Sequence, residues 1–79
     1  MQSVTSIKIY TKHYTDEFCI GDDFKNIKYE ETKFGIKLFI HENDEQFRIT
    51  TYPWNDIKKV DAIPTQIEID GKFVPINIL

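Results

Sequence analysis

Residues 27–52, IKYEETKFGIKLFIHENDEQFRITTY, contain three runs in which apolar and polar side chains alternate, separated by two short polar turns. A period of two marks a β-strand with one face buried. Read as an antiparallel meander, the turn Thr32-Lys33-Phe34-Gly35 sets Tyr29 opposite Leu38 and Ile27 opposite Ile40. A second turn, around Glu42-Asn43-Asp44-Glu45, sets Ile40 opposite Phe47, Leu38 opposite Ile49 and Ile36 opposite Thr51. In that register these residues share one inward face, and Leu38 is buried while Phe39 meets water. The outward face displays Lys28, Lys37, Phe39, His41, Arg48, Thr50 and Tyr52.

Working outward, residues 4–11 alternate with Ile7 and Ile9 on one side, and residues 17–20 resume the pattern after a polar turn at 12–16. Phe18 opposite Ile9 and Ile20 opposite Ile7 would complete an N-terminal hairpin. Gly21-Asp22-Asp23 is a break, combining a residue tolerant of positive φ with two side chains that bond their own backbone. Past Tyr52 the alternation fails at Pro53-Trp54-Asn55-Asp56. The spacing of Ile57 and Val60 then predicts one helical turn capped by Asn55 or Asp56, with a bulged strand as the alternative.

Asp70-Gly71 between two alternating runs has the composition of a type I′ hairpin turn. It pairs Ile69 with Lys72, Ile67 with Val74 and Gln66 with Pro75, and gathers Ile67, Ile69, Val74, Ile76 and Ile78 on a second apolar face. Two apolar faces and almost no helix predict an all-β fold, a small antiparallel barrel or two-sheet sandwich of six to seven short strands, with at most one helical turn near 55–60. Residues 1–79 form one domain in this reading, since 79 residues are too few for two cores.

Composition narrows the function classes. Thirteen Ile against two Leu, and nine Lys against one Arg, follow AT-rich codons and suggest an accessory protein of a low-GC bacterium or its phage. A net charge of -3 disfavours a general nucleic-acid binder. The start Met1-Gln2-Ser3-Val4 has neither the basic nor the apolar part of a signal peptide, and no apolar run is long enough for a membrane helix. With a lone Cys19, the expectation is a cytoplasmic protein with no membrane contact.

Cys19, His13 and His41 lie on separate segments, so no metal site is expected; Cys19 reads as a small buried edge residue and the histidines as solvent-facing. The sequence has no Gly-rich phosphate loop, no nucleophile elbow and no carboxylate in an apolar setting, so neither catalysis nor a cofactor is expected. The expected function is non-enzymatic binding of a protein partner through Lys37, Phe39, Arg48 and Tyr52, with Trp54 beside them. Trp54 is expected chiefly to plug the end of the barrel, and Tyr52 to stay on the surface. The alternatives are single-strand nucleic acid stacking on Phe39 between Lys28 and Arg48, and a homo-oligomer or larger assembly built by edge-strand pairing.

Overall fold

The computed structural model describes residues 1–21, 24–43 and 45–75, of which 67–69 and 73–75 by backbone alone. Strands β1 (Gln2–Thr11), β2 (Thr15–Cys19), β3 (Phe24–Glu31), β4 (Gly35–Glu42), β5 (Phe47–Pro53) and β6 (Ile57–Pro64) form one antiparallel sheet curled into a half-barrel. β7 (Gln66–Ile69) and β8 (Lys72–Pro75) form a separate two-stranded sheet. The fold is therefore all-β, as expected from the alternating runs.

β1 organises the sheet because it has three partners. Val4 pairs with both Ile27 of β3 and Pro64 of β6, while Ser6 pairs with both Cys19 of β2 and Ile63 of β6. β6 thus runs along one edge of β1, and β2 and β3 share the other, one after the other. Between them the Thr5 carbonyl accepts a hydrogen bond from the Ile20 amide at 2.9 Å. Thr5 is an extra residue opposite β6, and this bulge resets the alternation so that Val4, Ile7, Ile9 and Thr11 all face inward. The core they enter is Ile27, Ile36, Leu38, Ile40 and Tyr52, with Phe18, Phe24, Tyr29, Ile57, Val60 and Ala62 packed around it. Each aliphatic side chain buried there contributes about 1.5 to 3 kcal/mol relative to an exposed one.

Two hairpins turn by the same device. Thr11 Oγ1 donates to the Tyr14 carbonyl at 2.8 Å and accepts from the amides of His13 and Tyr14. Thr32 Oγ1 likewise donates to the Gly35 carbonyl at 2.9 Å and accepts from the amides of Phe34 and Gly35. The β3–β4 register is the expected one, with Tyr29 opposite Leu38 and Ile27 opposite Ile40. Gly35 is required there, because a Cβ would lie 2.0 Å from the Tyr52 carbonyl oxygen of β5.

The β1–β2 register differs from expectation: Ile7 faces Phe18 and Ile9 faces Asp16, since the Thr11 hydroxyl closes the turn in two residues rather than five. Phe18 still faces inward, but Ile20 passes beyond the pairing and is exposed. The β4–β5 register differs by one residue, which exchanges the two faces of β5. Ile40 faces Arg48, Leu38 faces Thr50 and Ile36 faces Tyr52, so Phe47, Ile49 and Thr51 look outward. The cause is the turn. The Glu42 amide bonds the Gln46 carbonyl at 2.8 Å, the Glu45 amide bonds the Glu42 carbonyl at 3.1 Å, and Glu45 has φ 69. This is a three-residue loop ending in a left-handed residue that, with Gln46, stands opposite Glu42.

The helical element is a 3₁₀ turn at Trp54–Asp56, and residues 57–64 are strand, so the helical turn expected at Ile57–Val60 gives way to its bulged alternative. The bulge lies where Tyr10 faces Lys59 and Thr11 faces Ile57. In the β7–β8 hairpin the expected pairs Ile69–Lys72, Ile67–Val74 and Gln66–Pro75 are all present, with Asp70 at φ 51 and Gly71 at φ 79. Both values suit a type I′ turn. The apolar face expected from Ile67 to Ile78 lies outside the described residues and side chains, as do Asp22 and Asp23. Gly21 makes its turn, amide to Phe24 carbonyl at 3.0 Å, without positive φ.

Candidate functional site

The two registers that meet on β4 build a grid on the outer face. Its rows run Asn26–His41–Phe47, Lys28–Phe39–Ile49 and Glu30–Lys37–Thr51, each crossing β3, β4 and β5. Strand alternation aims all nine side chains away from the core. Phe47 and Ile49 are 76% and 60% exposed, which sets them apart from the half-buried Phe39 between Lys28 and Ile49. His41 stacks on Phe47 with ring centroids 4.3 Å apart and planes at 12°, and the Lys37 ammonium lies 5.5 Å from the centre of the Phe39 ring. Asn26, Lys28, Phe39, His41 and Phe47 border a shallow cleft between the first two rows.

One end of the grid is fixed electrostatically. Glu45 accepts from the Lys25 ammonium and sits 3.1 Å from His41 Nε2. The Lys25 hydrogen bond, then that of His41, holds the Glu45 carboxyl below its ordinary range. Glu45 therefore links the loop to β3 and to the ring that stacks on Phe47.

The five residues expected to form the contact surface separate. Lys37 and Phe39 lie on the grid. Arg48 looks the other way: its guanidinium lies 5.7 Å from the Phe18 ring and 5.8 Å from the Phe24 ring, and pairs with Glu42 at 3.0 Å. Tyr52 is 3% exposed, and its hydroxyl donates to Asp16 Oδ2 at 2.7 Å across the open side of the half-barrel. Trp54 is 42% exposed and does not fill the interior; its indole N–H donates to the Thr32 carbonyl at 2.9 Å, which docks it on the β3–β4 turn. The roles expected for the two aromatics are thus exchanged, because the shifted β5 register turns Tyr52 inward. Alternation alone places Phe47 and Ile49 in the core, and only the geometry of the preceding loop reveals them as surface.

Cys19 is exposed on β2 rather than buried at an edge, and His13 is exposed in the β1–β2 turn. Among the described residues no three His, Cys, Asp or Glu side chains come together as metal ligands, and no helix is long and apolar enough to cross a membrane. No family model, curated protein or solved structure matches the chain.

Proposed function

We propose that the chain is a non-enzymatic binding module that engages a protein partner through the outer face of β3, β4 and β5. The observation that carries this reading is the exposure of Phe47 and Ile49 side by side on one strand face, with Phe39 and His41 completing a contiguous apolar and aromatic centre. Single exposed apolar residues are ordinary on a protein surface, whereas an adjoining set rimmed by polar groups is the composition of an interface. The rim here is Asn26, Lys28, Glu30, Lys37 and Thr51. Two lysines beside an apolar centre suit a partner that presents apolar side chains flanked by carboxylates.

Nucleic-acid binding on this face is less well supported, because Arg48 points to the opposite side and leaves Lys28 and Lys37 as the cations of the grid. The test compares proteins captured by the wild-type chain with those captured by a Phe47→Ser, Ile49→Ser chain of equal thermal stability. A defined protein retained by the first and lost by the second is the expected result. An unchanged set of captured proteins, or salt-sensitive binding of labelled single strands abolished by the same pair of substitutions, would count against it.

A further inference from the structure

We infer that β5 pairs edge to edge with β5 of a second copy of this chain, antiparallel about a two-fold axis at Ile49. The inference starts from the direction of backbone groups. Glu42 bonds Gln46 and the Trp54 amide bonds the Phe34 carbonyl, so on β5 the even-numbered residues exchange hydrogen bonds with β4. The N–H and C=O groups of Phe47, Ile49 and Thr51 point the other way, along an edge that pairs with no strand among the described residues. These are the same three residues whose side chains stand on the outer face.

Within the six-stranded sheet, β2 and β6 also pair along one side only, but both edges are protected. β6 carries Lys58, Lys59, Asp61 and Pro64 and two register shifts, and β2 has five residues including Asp16 and Glu17. Charges, bulges, prolines and short length are what keep edge strands from pairing. β5 has seven residues, no register shift against β4, and one charged side chain, Arg48, engaged by Glu42. Its one protective feature is Pro53, at the end of the strand.

A two-fold axis sets like against like, so a second copy fits where the facing row is uncharged, and Phe47, Ile49 and Thr51 are such a row. Pro53 and Arg48 together narrow the register, since centring on Arg48 would set two like charges directly opposite each other. Centred on Ile49, Phe47 meets Thr51 of the second copy, Ile49 meets its own image, and each pair exchanges both N–H and C=O. Centring on Thr50 or Thr51 would bring Pro53, which has no N–H, opposite Phe47 or Ile49. Edge pairing leaves the sheet faces free, so it is independent of the partner proposed above and places two copies of the grid side by side.

Size-exclusion chromatography with light scattering, from micromolar to sub-millimolar protein, is expected to show a species of twice the 9.4 kDa chain mass. Ile49→Lys should return it to one chain mass, since like charges then face each other on the axis while the exposed position leaves the monomer folded. Mixing the I49K chain with the I49E chain should restore the doubled mass. Amide exchange by NMR gives a second measurement: protection at residues 47, 49 and 51 should rise with concentration, while residues 48, 50 and 52 stay protected throughout. A single-chain mass across the range would overturn the inference, as would a dimer indifferent to I49K or protection at 47, 49 and 51 that does not change.

Discussion

Tyr52 joins the two sides of the half-barrel with one atom. Its ring is in the core against Ile36, and its hydroxyl reaches Asp16 on β2, a strand that β5 does not pair with. Burial, and then the Asp16 hydrogen bond, push the phenol well above its ordinary value. A buried acid with a raised pKa favours the folded state below its unfolded value of about 10, and that contribution is lost as pH rises beyond it. Tyr52 should therefore ionise only with alkaline unfolding, which ultraviolet difference absorbance would show as a phenol whose ionisation coincides with loss of strand signal. Tyr52→Phe should remove that coupling and lower stability by about 1.5 kcal/mol, the scale of a hydrogen bond to a charged acceptor. An early, independent titration of all four phenols would refute this. Residues on β4 were legible from alternation alone: Leu38 is buried and Phe39 half-exposed. Tyr52 and Trp54 were not, because an aromatic ring suits either a core or a surface and only the register decides.

At the scale of the element, the turns determine what alternation leaves open. Asp70-Gly71 was readable because both residue types accept positive φ, and its register followed at once. The β4–β5 loop was not, because its left-handed position is Glu45, a residue type that rarely occupies it. β5 compounds the ambiguity. Phe47, Ile49 and Thr51 look more apolar than Arg48, Thr50 and Tyr52, so hydrophobic patterning favours the register that the loop rules out. Lys25 and His41 help hold Glu45 in place through its carboxylate. A carboxyl with a depressed folded pKa stabilises above its unfolded value of about 4.3, and the effect disappears as pH falls through the folded one. Thermal melts of the wild type and of Glu45→Gln should differ at neutral pH, with the wild type more stable, and converge below that range. A gap that persists in acid would show that the charge is not what anchors the loop.

For the whole molecule, the decisive contacts are the least local. β1 is sealed against β6, which follows it by some fifty residues. Sheets dominated by such contacts fold on a scale of roughly milliseconds to seconds rather than microseconds. Stopped-flow refolding followed by Trp54, whose indole rests on the β3–β4 turn, should show that slow regime. A microsecond phase carrying the full amplitude would contradict it. Most strands and the β1–β2 hairpin were legible in the sequence, but β6 as a full strand and β3 and β6 as further partners of β1 were not, since three partners for one strand leave no trace in local periodicity. The same feature has a mechanical consequence. Hydrogen bonds of antiparallel ladders lie across the strand direction, so a load applied along β1 shears the ladders on both its edges together. Pulled by a tether at Gln2, the protein should resist far more force than when β5 is peeled from β4.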